Sequence, residues 1–359
     1  MRKINIYLVE SPFQLLSAIE AKEYFKSFDS LLIIKNVLDN KSNELMEKLI
    51  SFTTWDKIIK INYTIATIVD FHFLYNICKL KKKKQKIEYI FVGFPRTRGF
   101  QWFCEKLNSR KCFILDDGTH TIELQKNFFL YGNYLQGKDR LDKKIDKNLV
   151  RHSKNLLKIF IIKYFFGLKN TRNIKYNLFT CYNLEVIPGQ QIVQHSFEYI
   201  KSKISSFTFY KDTVYFYGTP LSETGILQLN VEINLLKKII YFYKKKKKRL
   251  LYIPHRIDSI MKVRLIEKEG IEVKKFSFIA EIEPIMSQTL SSEIASFFST
   301  VLYTLPKIYP YDNVTSFMLQ EDMIIRDDRK KAIKEIYKEY EKYMNVILLN
   351  FDSAKSGTK

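Results

Sequence analysis

Short apolar runs, each followed by a stretch of helical spacing, constrain this chain more than any other feature. KINIYLVES (3–11) is rich in β-branched and apolar residues and stops at Ser11-Pro12. The following PFQLLSAIEAKEYF carries its apolar residues at helical spacing, with Pro12 tolerated in the first turn. The runs LLIIKN (31–36), KIIKIN (57–62), IEYIFVGFP (87–95) and KCFILDDG (111–118) repeat the pattern, with helices predicted to about residue 52, over about 65–80 and near 99–108. Strands this apolar, separated by helices, predict a parallel sheet covered on both faces.

The alternation returns at 213. TVYFYGTP reads as a strand into a turn, and a helix leads from it to the run Lys244–Arg249. RLLYIPHR (249–256) is a strand ending in a loop, followed by a helix near 258–269, a strand at 271–276 and a short acidic-apolar segment at 279–287. ASFFSTVLYTL reads as an apolar helix opened by Ser296 to Thr300; a strand near 313–319, a charged helix over about 328–343 and VILLNF complete the order. Residues 120–210 resist assignment apart from a basic, apolar helix candidate at 151–170, and the tail after Asp352 reads as disordered. The expectation is an α/β chain of two Rossmann-like domains facing a central cleft. Its parts are an N-terminal domain at 1–150, a connecting region at 151–212 and a C-terminal domain at 213–359. The length, 359 residues, suits two domains of ordinary size.

Charge narrows the partners. Sixty Lys and Arg against 38 Asp and Glu leave a net +22, which attracts nucleic acid, an anionic membrane or a phosphorylated substrate. The basic residues are diffuse and no recognised nucleic-acid module is present, so nucleic acid is the weaker partner. Four cysteines, Cys78, Cys104, Cys112 and Cys181, show no ligand spacing; they read as unpaired thiols of a reducing compartment. The apolar N-terminal stretch is broken by Glu10, Ser11, Pro12 and Gln14, which argues against a secretory signal, and no run of about 18 apolar residues predicts a membrane span. A cytoplasmic location is expected. The segment 151–170 and the lysine runs suggest peripheral contact with an anionic inner membrane.

Ligands of doubly wound sheets bind beyond the carboxyl ends of the strands, so the residues there carry the functional reading. Asp116-Asp117-Gly118 follows CFIL. Consecutive residues of an extended chain point to opposite sides, so one carboxylate is expected to face a substrate hydroxyl and take its proton. His255-Arg256, after Tyr252-Ile253-Pro254, can hydrogen-bond and charge-balance a departing phosphate. Ser299 and Thr300 present hydroxyls and backbone N–H groups at a helix start, and Gly218-Thr219-Pro220 is a turn where backbone can approach a ligand. No phosphate loop, GxGxxG, HExxH, GxSxG or DxD-type metal motif occurs.

In this order, YLVESPFQLLSAIEA (7–21), Asp116-Asp117-Gly118, Pro254-His255-Arg256 and Ser299-Thr300 resemble the bacterial sialyltransferases of glycosyltransferase family 52 and the related bacterial polysialyltransferases. The resemblance implies a GT-B fold, a CMP-sialic acid donor, no cofactor and an inverting, metal-independent transfer to a sugar hydroxyl of lipooligosaccharide or capsule; a lipid-linked acceptor is the reading of the 151–170 segment as an interfacial helix. It makes one carboxylate the general base, Asp116 first and Asp117 second. His255 would protonate or hydrogen-bond the CMP phosphate as it leaves, Ser299 and Thr300 bind that phosphate or the donor carboxylate, and Gly218 to Pro220 lie beside the nucleotide; Gly118 and Arg256 stand with them as donor-binding candidates. Two positions depart from the family: Arg256 stands where proline usually follows the histidine, and Thr300 replaces a second serine. The threonine keeps the hydroxyl; the arginine adds a phosphate contact or marks a different nonulosonic acid. The competing readings are a GT-B transferase for Kdo or a polyol phosphate, and a basic nucleic-acid-binding protein.

Overall fold

The apolar runs become parallel strands in two separate sheets. The computed structural model describes residues 3–26, 28–62, 66–83, 85–95, 97–125 and 175–348. The candidate helix at 151–170 and the tail after Asp352 lie outside the described residues. The chain divides into two compact units, Met1–Tyr199 and Ile200–Lys359.

In the first unit the strands are β1 (Lys3–Val9), β2 (Asp29–Lys35), β3 (Lys57–Ile61), β4 (Lys86–Val92), β5 (Ser109–Leu115), β6 (Tyr176–Thr180) and β7 (Ile192–Gln194). They pair in the order β3-β2-β1-β4-β5-β6-β7, all parallel. The order reverses between β1 and β4, the switch point of a Rossmann-type sheet. Period-2 alternation sends Ile4, Ile6 and Leu8 of β1 into one core with Phe73 and Phe103 of α3 (Ala66–Lys82) and α4 (Arg98–Lys106). The opposite face carries an aromatic ladder across neighbouring strands. Tyr7 stacks on Phe91 at 4.7 Å and Phe91 on Phe113 at 5.4 Å, each pair in direct register. Such pairs contribute about 0.5–1.5 kcal/mol each beyond the area they bury. Helix α1 (Pro12–Tyr24) covers this unit with buried Leu15, Leu16, Ala18 and Ile19; Ser11 caps it by accepting the Gln14 N–H, with Pro12 in the first turn. α2 (Asn40–Ile50) and the short α5 (His120–Leu124) complete the elements used here.

Residues 176–194, expected in a connecting region, belong to the first sheet as β6 and β7. Their sequence hides this because YNLFT and IVQ are short and lie among loop residues.

After α6 (Glu198–Lys201), the second unit holds β8 (Thr208–Tyr217), α7 (Leu229–Lys245), β9 (Arg249–Ile253), α8 (Ile260–Lys268), β10 (Glu272–Val273), α9 (Glu283–Ser287), β11 (Thr289–Ser296), α10 (Val301–Ile308), β12 (Asn313–Met318), α11 (Asp327–Tyr340) and β13 (Asn345–Leu348). The sheet order β10-β9-β8-β11-β12-β13 again reverses at its centre and is again parallel. The central strand β11, TLSSEIAS, has no apolar run to announce it. Its serines are buried because the protein backbone takes their hydroxyls: Ser291 donates to Glu293 O, Ser292 to Lys211 O and Ser296 to Tyr217 O at 2.6–2.9 Å. Ser296 therefore ends a strand, and the helix read as starting there begins at Val301.

All four cysteines are free, with Cys104, Cys112 and Cys181 buried. Among the described residues, no helix is long and apolar enough to cross a membrane.

Candidate active site

In the first unit, the end of β5 meets the start of α1. Strand alternation divides the two carboxylates as expected, and the packing decides which one turns inward. Asp116 has no exposed surface. Its carboxylate accepts the Thr180 hydroxyl at the end of β6 at 2.6 Å and the Cys181 N–H just after it at 2.7 Å, and His195 Nε2 stands 3.6 Å from Oδ2. So enclosed, Asp116 offers no surface in this structure, and Asp117 is the more exposed of the two residues. Asp116 instead ties β5 to β6.

Asp117 is half-buried. Its carboxylate accepts from the Ser11 hydroxyl at 3.3 Å, and the nearby Gln14 side chain favours its ionised form. Its own N–H donates to Thr121 Oγ1 at 2.9 Å, and Gly118 turns the chain at φ 66°, a conformation that favours glycine. Burial pushes the Asp117 carboxyl above its ordinary value, against the lowering effect of Gln14, His120 and Ser11. Ser11 and Gln14 were not among the site residues expected from sequence, although both lie in the opening motif. The readable signal was the strand-to-helix turn Glu10-Ser11-Pro12 at the switch strand. Gln14 is pinned there by accepting the Glu10 N–H at 2.9 Å, and it packs where a Cβ on Gly93 would collide, 2.1 Å from its Oε1.

In the second unit, His255 and Arg256 follow β9. Arg256 is exposed and His255 half-buried. Ile257 donates its backbone N–H to His255 Nδ1 at 3.3 Å. That bond makes Nδ1 an acceptor and assigns the proton of the neutral ring to Nε2. Burial first, then the Arg256 charge, pushes the imidazole down to about 4, so the ring is neutral at pH 7 and donates through Nε2–H.

Gly218, Thr219 and Pro220 follow β8. Glycine is required at 218 for packing: an added Cβ would stand 2.4 Å from the Tyr252 hydroxyl and 2.9 Å from Asp258 Oδ2. The Thr219 side chain is buried against Ser296 Oγ at 3.1 Å, which leaves backbone as this loop's means of meeting a ligand. Pro220 is half-buried and its carbonyl accepts from Thr224. Ser299 and Thr300 are half-buried at the start of α10; Thr300 is its N-cap residue without a side-chain capping bond, and the Ser299 carbonyl accepts the Tyr340 hydroxyl at 2.8 Å.

Each unit thus gathers its own predicted residues at the carboxyl ends of its strands: Asp116, Asp117 and Gly118 in the first, the other seven in the second. Among the described residues, Glu20, His195 and Glu198 have the composition of a cation site, with donor atoms within 4.8 Å of one another. Two of them already serve the backbone: Glu20 accepts the Tyr199 N–H and Glu198 the Ser196 N–H. A cavity of about 260 Å³ in the first unit is lined by Ile4, Asp29 and Lys57, at the opposite ends of the strands from Asp117.

Solved structures share this architecture at low sequence identity. An α/β-galactoside α-2,3-sialyltransferase from Photobacterium phosphoreum aligns at TM-score 0.51 and 13% identity, covering 97% of this chain and 98% of that one. A 2,6-sialyltransferase from Photobacterium sp. JT-ISH-224, in a ternary complex with CMP and lactose, aligns at 0.52 and 13%, covering 96% and 78%. A Listeria monocytogenes protein described as a UDP-N-acetylglucosamine 2-epimerase aligns at 0.51 and 10%, covering 94% and 86%. These likenesses show the fold, two Rossmann-like sheets of GT-B type. No curated protein matches the chain in sequence. The profile of the alpha-2,8-polysialyltransferase family matches residues 5–318. With that match over most of its length, the chain belongs to the alpha-2,8-polysialyltransferase family and is a bacterial-type sialyltransferase.

Proposed function

We propose that the protein moves sialic acid, or a related nonulosonic acid, from a CMP-activated donor to a sugar hydroxyl of a surface glycan, with inversion and without a metal. Asp117 carries the reading: a half-buried aspartate at a strand end, its carboxyl raised by burial and hydrogen-bonded by Ser11. The acceptor oxygen attacks the anomeric carbon of the donor as the bond to the CMP phosphate breaks. Asp117 takes the acceptor proton, and attack opposite the leaving group inverts the centre. His255 Nε2–H donates to the departing phosphate oxygen, and the phosphate's negative charge draws the ring toward its protonated form. Arg256 adds charge beside it, and Ser299 and Thr300 with the α10 N-terminus hold the phosphate or the donor carboxylate. The Gly218 to Pro220 backbone lies along the nucleotide, and Gly118 shapes the turn that presents Asp117.

The family name points to a sialylated acceptor, and the CMP and lactose of the Photobacterium complex point to a galactoside. Contact with an anionic inner leaflet, near a lipid-linked acceptor, rests on the net charge of +22 and on the segment 151–170. CMP release from CMP-sialic acid in EDTA, with sialylated and galactose-terminated acceptors, tests donor, acceptor and metal independence together. Acceptor-dependent release is expected. If CMP neither binds nor is released, the CMP-donor assignment falls and the donor is another nucleotide sugar.

A further inference from the structure

Lys262, on α8, has a side chain with no exposed surface. Its ammonium lies 3.0 Å from Asp258 Oδ1, 3.2 Å from Glu223 Oε2, 2.5 Å from Glu232 Oε1 and 3.2 Å from the Thr219 carbonyl oxygen. Each carboxylate spends its second oxygen on backbone. Asp258 Oδ2 accepts the His255 N–H at 2.9 Å, Glu223 Oε1 the Ser259 N–H at 2.9 Å, and Glu232 Oε2 the Ser222 N–H at 2.9 Å. Asp258 Oδ2 also accepts the Tyr252 hydroxyl at 2.8 Å. One buried cation therefore reaches two loops: the loop after β8 directly at Thr219 and through Glu232 at Ser222, and the loop after β9 through Asp258 at His255 and Glu223 at Ser259.

This cluster is a poor choice for stability alone. Buried ion pairs lose in desolvation much of what they gain in attraction, and a packed apolar group often does as well. Here burial works against the Lys262 ammonium, yet Glu232 and Asp258 outweigh it and hold its pKa above the ordinary lysine value. What such a cluster supplies over an apolar plug is direction, since its bonds end on particular N–H groups. Those groups belong to the segments that carry Thr219 and His255.

We infer that Lys262 and Asp258 are positioning residues that hold the two loops after β8 and β9 as one rigid cradle for the donor's phosphate. The inference rests on the proposed donor site for the identity of the ligand, but the coupling of the loops stands on geometry alone. Neither residue touches substrate in this scheme. Asp258 anchors the backbone of His255, whose side chain does.

The test uses Lys262→Met in the full chain, with Asp258→Asn as the variant that keeps shape if the first fails to fold. Backbone amide exchange is followed in 218–224 and 255–259, together with CMP affinity and steady-state turnover. Exchange in both loops is expected to rise by about tenfold or more while the β8 and β9 strands keep their protection. The CMP Kd and the donor KM are expected to rise by about tenfold, with the acceptor KM unchanged, because only the cradle is loosened. Folded variants that leave both loops and CMP affinity within about twofold of the parent overturn the inference, as does loosening of one loop alone. Failure of the parent protein to bind CMP is a separate outcome: it removes the donor assignment and leaves the loop-exchange result to decide the coupling.

Discussion

The backbone N–H of Ile257 donates to Nδ1 of His255 at 3.3 Å, two residues back along the same turn, and so directs the ring's only neutral-state proton to Nε2. The ring is thereby a donor of one bond in one direction before any ligand arrives. With its pKa down at about 4, it does not arrive charged.

Binding of CMP at the proposed site is therefore expected to take up protons at this ring. The free imidazole is neutral from pH 5 upward, and a phosphate against Nε2 raises its pKa. Calorimetry of CMP binding near pH 6 in two buffers of different ionisation enthalpy reads the uptake. The parent protein is expected to take up more protons than His255→Gln. Equal uptake in the two proteins counts against a phosphate contact at this residue.

Asp117→Asn is expected to lower turnover by about 100-fold or more while leaving thermal stability close to the parent, the scale of lost general-base help. Asp116→Ala behaves differently. It strips the Cys181 N–H and the Thr180 hydroxyl of a buried acceptor and costs about 2–4 kcal/mol of stability. Melting temperature and kcat measured on both variants separate the roles; a stable, inactive Asp116 variant would reverse them.

With Asp117 as the proposed base, the acid side of the pH–rate profile is expected to report it. The base works only when ionised, and burial raises its pKa, so kcat/KM falls as pH drops through that raised value. The Gln14 and Ser11 side chains stabilise the ionised form. Gln14→Leu and Ser11→Ala are accordingly expected to move the acid limb to higher pH. A shift to lower pH in either variant contradicts the assignment.

Gly218→Ala is expected to cost about 1–3 kcal/mol, because its Cβ drives into the Tyr252 hydroxyl and Asp258. Tyr252→Phe removes the nearer obstacle. The double variant should then recover part of the loss in a denaturation cycle. Strict additivity of the two changes would show that the collision is relieved elsewhere.

Much of the fold could be read from one residue to the next. β1, β2, β4 and β5 are apolar enough to announce themselves, and the Ser11-Pro12 start of α1 is local capping chemistry. β11 was not legible: TLSSEIAS is polar in pattern, and its burial depends on carbonyls of β8, among them Lys211 and Tyr217, that only the folded sheet brings alongside. β6 and β7 were hidden by shortness. Gly218 drew notice as a ligand-facing turn, whereas its immediate reason is the Tyr252 hydroxyl behind it.

The same division runs through the site. Period-2 geometry in the sequence alone determined that Asp116 and Asp117 face opposite ways, and the motifs placed them and His255 at strand ends and Ser299 at a helix start. Which carboxylate stays accessible was decided by Thr180 and Cys181, 64 and 65 positions away, because a buried acceptor is claimed by whatever donors packing delivers to it. Strand periodicity is local and survives in one dimension; hydrogen-bond partners across a sheet do not, and they set both the enclosure of Asp116 and the hold of Lys262 on two loops.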